Sequence, residues 1–214
     1  MWGLVESGSI TKLINKPKGL VIGDVRHSRK IFELWSKSEL EAKSIYEVVF
    51  DNSNKKDEQW YINTNPSYAF AITDGVGQVT STYGTATAKA HADTLWTSQD
   101  KTDGKIPTGK DVGDVKVKGL KTVLIENIKE QAAGELSKTD WYIIRKADAG
   151  TAVPSSITTH RAAVRTKAAE METAITNASN TPALETLCTY VNTADEGDPK
   201  VIERPLGELP ILEV

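Results

Sequence analysis

The spacing of apolar residues changes once along this 214-residue chain. That change constrains the fold more than any single motif. Up to Trp96, apolar residues come in short runs broken by turn-forming residues, or alternate with polar ones, as in half-buried strands. From Leu120 onward they recur every third or fourth residue, as on one face of a helix. Between the two regimes, Ser98 to Gly113 carries Asp100, Lys101, Asp103, Gly104, Lys105, Pro107, Gly109, Lys110, Asp111 and Gly113. Such a stretch has too little apolar surface to offset its ordering entropy. The chain therefore reads as α+β: a β-rich domain over 1–97, a polar linker over 98–115, a helical domain over 116–194, and an acidic, proline-containing tail over 195–214.

In the first region, Glu6-Ser7-Gly8-Ser9 between Trp2-Leu4 and Ile10-Ile14 predicts a hairpin. Leu20–Ile22 reads as a short strand stopped by Gly23-Asp24. Ser36 and Glu39 have capping-box spacing, with Trp35 and Leu40 placed to form a hydrophobic staple. This predicts a short helix over Lys37–Lys43. Ile45–Phe50, Gln59–Asn63, Tyr68–Thr73 and Gln78–Tyr83 read as strands, and Thr85–Trp96 as continued strand. Asp74-Gly75-Val76-Gly77 is a hairpin turn. It lacks the third glycine and the following helix that a dinucleotide loop needs.

In the second region, Leu120, Leu124, Ile128, Ala132 and Leu136 form one helical stripe. Ile157, Val164, Ala168, Met171 and Ile175 follow a heptad-like seam in which Arg161 takes the remaining place. Pro154-Ser155-Ser156 opens that second helix, and Thr181-Pro182 opens a shorter third one carrying Leu184, Leu187, Cys188 and Val191. Packing of the first two predicts an antiparallel helical hairpin. Ser137–Arg165 is its corner, with Trp141 and Ile144 plugging the end and Ala149-Gly150-Thr151 turning the chain. Arg161 and Arg165, one turn apart, are placed to pair with Asp140 or Asp148 or to meet an acidic partner.

Composition narrows the function. A net charge of −3 with interleaved lysines and acids argues against nucleic acid as a partner. The single cysteine, Cys188, allows neither an intramolecular disulfide nor a cysteine-based zinc site, and reads as a small core residue. His27, His91 and His160 lack metal-ligand spacing, and His160 reads as exposed. The Asp51–Asp57 loop lacks the glycine of a calcium loop. No nucleophile elbow or phosphate-binding loop is present. Only a carboxylate-based hydrolase would leave so little trace. No catalytic residue, metal or cofactor is therefore expected. The five tryptophans, Trp2, Trp35, Trp60, Trp96 and Trp141, read as core residues and staples more than as a sugar-stacking platform. Without a signal-peptide pattern or a long apolar run, a cytoplasmic site of synthesis and no membrane partner are expected.

Two stretches resemble a known family. Leu136, Thr139-Asp140-Trp141, Pro154 and Arg161-Ala162-Ala163-Val164-Arg165 are similar in order and spacing to the C-terminal module of bacteriophage tail assembly chaperones and tail fibre assembly proteins. LVESGSITKLINKPKGLVIGD followed by IFELWSKSELEAKSIYEVV resembles the small module that opens many of them. The family's module often closes with Trp-Pro; here the corresponding end is Arg204-Pro205-Leu206-Gly207-Glu208-Leu209-Pro210. The resemblance implies a non-enzymatic phage protein acting through protein–protein contacts in tail or tail-fibre assembly. The alternative is a structural component of the virion, in the tail, fibre or neck. A phage tail or fibre protein would be the partner, with homo-oligomerisation as a further option. The place would be the host cytoplasm during assembly, or the particle. Arg161, Arg165, Trp141, Leu209 and Ile211 are the candidate partner-binding residues.

Overall fold

The computed structural model describes residues 1–212 and confirms the α+β class. It divides into two compact units, Met1–Thr87 and Ala88–Val214.

In the first unit, β1 (Trp2–Glu6) and β2 (Ser9–Ile14) form the expected hairpin, with Ser7 and Gly8 both at positive φ as a two-residue primed turn requires. β3 (Leu20–Ile22) pairs with β4 (Val25–His27), which was not expected beyond Gly23-Asp24. One helical turn, α1 (Ile31–Leu34), precedes α2 (Lys37–Glu41). The α2 capping box is complete. The Ser36 amide donates to Glu39 Oε2 at 2.7 Å, and the Glu39 amide donates to Ser36 Oγ at 3.3 Å. Donation by the Ser36 amide holds the Glu39 carboxyl below its ordinary range.

β5 (Ile45–Asp51) comes next. The strand expected over Gln59–Asn63 shortens to β6 (Tyr61–Ile62), while Trp60 is buried. β7 (Ser67–Thr73) and β8 (Val76–Thr82) form the second hairpin. The main sheet runs β2-β1-β5-β8-β7, antiparallel except for the parallel β5–β8 pair. β8 is thus integral to the sheet, and Val79 has no exposed surface. Alternation gives the sheet two packed faces. Leu4, Ile14 and Ile45 gather with Leu20, Ile31 and Leu40 on one. Val5, Val48 and Val79 gather with Tyr68 and Phe70 on the other. Trp35 packs on the Leu40 side, as the staple requires.

The division between units falls within β9 (Thr87–Ala88), ahead of the expected linker. The polar stretch from Ser98 is a folded insertion in the second unit. β10 (Thr94–Leu95) pairs with β11 (Val115–Val117), and Trp96 and Asp114 extend the ladder inward. Between them, α3 (Ser98–Thr102) starts on a capping box between Thr97 and Asp100. Lys116 Nζ donates to Asp100 Oδ1 at 2.8 Å and lies 4.6 Å from the Trp96 ring centroid. Local polar bonds, and not apolar burial, order this segment. Composition therefore could not reveal it.

Helix α4 (Leu120–Ser137) begins at Gly119, whose amide donates to Asp93 Oδ1 at 2.6 Å. A Cβ at Gly119 would stand 2.3 Å from the Ala92 carbonyl. Helix α5 (Asp140–Ala149) follows, ending at Gly150 in the left-handed conformation, and then α6 (Ser155–Asn177) opens after Pro154. α4 and α6 run antiparallel: Lys121 Nζ reaches the Thr176 carbonyl at 2.7 Å, and Arg161 reaches the Leu136 carbonyl at 2.7 Å. Ile128 and Ala132 are buried on α4; Ile157, Val164, Ala168, Met171 and Ile175 are buried on α6. His160, expected at the surface, is also buried, because it falls one turn from both Ile157 and Val164 on the same face.

α7 (Thr181–Cys188) is capped by Asn180, and Leu184 is fully buried. The expected extended tail is folded back. β12 (Val191–Asn192) pairs with β13 (Ile202–Glu203), the Leu206 amide donates to the Leu187 carbonyl at 2.9 Å, and the Leu206 side chain is buried. The last two residues of that predicted tail, 213–214, lie outside the described residues.

Candidate functional site

The corner between α4 and α6 carries most of the residues singled out from sequence. Its inner side is a polar latch. Arg161, on the α6 seam, turns its guanidinium to the end of α4. There Nη1 donates to the Leu136 carbonyl at 2.7 Å, to Thr139 Oγ1 at 2.8 Å and to Asp140 Oδ1 at 2.8 Å. Thr139 Oγ1 in turn donates to the Leu136 carbonyl at 3.0 Å and is almost fully buried. The last carbonyls of a helix lack intrahelical donors. One arginine supplies a donor here and neutralises the acid that opens the next helix. Of the two options for Arg161, the structure contains the intramolecular pair with Asp140. Arg165 does not join it; its side chain is exposed one turn further along α6.

The outer side of the corner is apolar. The expected plug is absent: Trp141 is 51% exposed and Ile144 66% exposed. The reason is that Trp141–Ile144 continues as helix α5, which buries none of its residues. On that helix Trp141, Ile144, Arg145 and Asp148 recur at spacings of three and four and share one face. The Trp141 and Tyr142 rings lie 4.2 Å apart between centroids, and the Arg145 guanidinium stacks 4.6 Å from the Trp141 centroid. This is a cation–π arrangement. Arg145 Nε is shielded from solvent without an acceptor. Among the described residues, neither Arg145 nor Asp148 makes an ion pair.

The C-terminal candidates separate. Leu209 is half-buried and lines a hollow with Gln131, Gly134, Glu135 and Lys138 of α4, whereas Ile211 is exposed. The strap that presents them is pinned by Arg204 Nε, 2.8 Å from Glu208 Oε1, and by the Tyr190 hydroxyl, which donates to the same carboxylate at 2.5 Å. That hydrogen bond raises the Tyr190 phenol above its ordinary value. Cys188 is half-buried, and burial pushes its thiol up, away from the thiolate a nucleophile needs.

Sequence reasoning missed Arg145 and the outward face of α5. The signal was present in the spacing of Trp141, Ile144, Arg145 and Asp148. A run of Trp-Tyr-Ile-Ile outweighed it by resembling a strand.

The first unit holds a cavity of about 380 Å³ lined by Lys37, Glu41, Tyr46, Glu47, Val76 and Gln78, among others. Glu41 lies 3.7 Å from Lys37, and Glu47 is exposed. Among the described residues, no group of three or more histidine, cysteine or acidic side chains is placed to hold a metal ion. No described helix is long and apolar enough to cross a membrane.

These features define a class: an α+β protein of two compact units whose most exposed apolar helix sits on an internally latched helical corner. No protein-family model, curated protein or solved structure matches the chain.

Proposed function

We propose that this chain is a non-enzymatic bacteriophage protein that acts through protein–protein contacts in tail or tail-fibre assembly, in the host cytoplasm. The observation that carries the reading is α5: Trp141, Ile143 and Ile144 are exposed together on a helix that buries nothing. Exposed apolar residues are ordinary when scattered, but clustered on one element they mark contact sites. Tryptophan and arginine, stacked here as Trp141 and Arg145, are the side chains most enriched among binding hot spots. The phage assignment rests on the order of Leu136, Thr139-Asp140-Trp141, Pro154 and the Arg161–Arg165 pair. The Arg161 latch gives part of that order a physical reason, because Leu136, Thr139, Asp140 and Arg161 meet where α4 closes and α5 departs. Arg161 thus serves the contact by positioning it, while Trp141, Arg165 and the strap residues Leu209 and Ile211 offer contact surface.

A second reading, a component retained in the virion, draws support from the first unit. The tip of the β7–β8 hairpin exposes Ile72 and Val76, a further apolar surface that a permanently assembled subunit would cover. Quantitative mass spectrometry of purified particles separates the two. An assembly factor is absent from particles and co-purifies with a tail or fibre subunit from lysate, whereas a structural component is present at stoichiometric amounts. Absence from both overturns the phage assignment.

A further inference from the structure

We propose that α5 is a self-association helix, and that its first occupant is α5 of a second copy of this chain. The inference rests on α5 being a contact surface, not on the phage assignment.

The outward face of α5 is self-complementary in charge. Arg145 and Asp148 stand one turn apart on the same face as Trp141 and Ile144, and among the described residues neither makes an ion pair. A face with one unpaired cation and one unpaired anion matches itself under a two-fold axis, the isologous arrangement commonest in homodimers. An axis crossing the helix between residues 145 and 148 sets each Arg145 level with Asp148 of the other copy, so two ion pairs form. The same axis brings Ile144 level with Ala149 of the other copy and lays Trp141 over the end of its helix. Arg145 is held on the Trp141 ring at 4.6 Å before any partner arrives.

Area sets the strength. A ten-residue helix is about 15 Å long, so α5 alone covers less than the ~800 Å² per partner of a stable interface. The dimer is accordingly weak and reversible, which leaves α5 free to exchange one occupant for another.

Sedimentation equilibrium of the full chain, from micromolar to millimolar concentration at low salt, tests this. The expected result is a concentration-dependent dimer whose dissociation constant rises about tenfold in Trp141→Ala. Arg145→Asp and Asp148→Arg each weaken it, and the double variant, with both charges exchanged, recovers most of the loss. Circular dichroism should show all four variants folded, since these side chains are at the surface. A monomer at every concentration overturns the proposal. So does a dimer indifferent to Trp141→Ala, or a double variant no stronger than the single ones. None of these results bears on whether the chain is found with phage tail proteins, which particle and lysate mass spectrometry decides.

Discussion

Arg161 and Leu136 lie twenty-five residues apart in sequence, yet the guanidinium of one donates to the backbone carbonyl of the other at 2.7 Å. This bond ties the end of α4 to the second turn of α6 and fixes where α5 departs. Removing the arginine takes a charged donor from the buried Thr139 hydroxyl and from the Leu136 carbonyl, which keep only their bonds to each other and to the Thr139 amide. Arg161→Ala should therefore destabilise the second unit by about 2–3 kcal/mol, the range for losing hydrogen bonds to a charged group. Asp140→Asn should cost less than about 1 kcal/mol, because its carboxylate is half exposed. Urea denaturation of both variants checks the contrast; equal costs would mean that the ion pair, and not the carbonyl latch, holds the corner.

Two glycines of the same region predict opposite outcomes. At Gly119 a Cβ would stand 2.3 Å from the Ala92 carbonyl and 2.8 Å from the Asp93 amide nitrogen, backbone that cannot swing aside. Gly119→Ala should cost about 2–3 kcal/mol through overpacking. At Gly134, inside α4, a Cβ would meet nothing within 4 Å. Gly134→Ala should stabilise by about 0.5–1 kcal/mol, the helix preference for alanine. Thermal melts of the two variants should move in opposite directions.

Asp100 gives a pH dependence with a definite sign. Donation from Lys116, then from the Thr97 amide and hydroxyl, holds its carboxyl down to about 2, against an ordinary 3.8. A depressed carboxyl stabilises the fold above its unfolded value and loses that contribution as pH falls toward its folded one. The α3 insertion should thus be fully ordered above pH 3.8 and loosen as pH drops toward 2. Protection from hydrogen exchange at the Trp96 and Gly113 amides, whose bonds close the insertion, should fall across that window. In Asp100→Asn both amides should exchange faster at neutral pH, and their protection should change little between those two pH values. Acid-insensitive protection in the parent chain would contradict this account of the insertion.

The core of the second unit separates buried from exposed apolar residues. Met171 and Ile144 are of similar size, but Met171 is 1% exposed and Ile144 66%. Met171→Ala should cost about 2–5 kcal/mol, and Ile144→Ala close to nothing. Similar losses at the two positions, by urea denaturation, would place Ile144 in the core and remove the case for α5 as a contact face.

Elements governed by short-range patterns were legible in the sequence. The β1–β2 turn needed Gly8, the start of α2 needed Ser36 and Glu39, and the α4–α6 seam followed from apolar spacing. What sequence hid depended on polar bonds and on partners distant in the chain. The Asp100–Lys116 bond orders a stretch that composition marks as a linker. His160 is polar by type but sits on the buried face of α6. The β12–β13 pairing and the burial of Leu206 anchor a tail whose prolines suggest an extended chain. Of the candidate site residues, Arg161 could be paired with Asp140 from their positions at a helix break. The spacing of Trp141, Ile144, Arg145 and Asp148 carried a helical face, but spacing alone does not tell a tryptophan that plugs a hairpin from one that faces out.

The central claim, that this protein works by an exposed apolar face in phage tail assembly, is tested most directly by affinity capture. The tagged full chain and a Trp141→Ala/Ile144→Ser variant would be recovered from phage-producing lysate and their bound proteins quantified by mass spectrometry. The account predicts a phage tail or tail-fibre subunit bound to the parent chain and strongly depleted from the variant. Recovery of no tail or fibre subunit, or equal recovery with both chains, would contradict it.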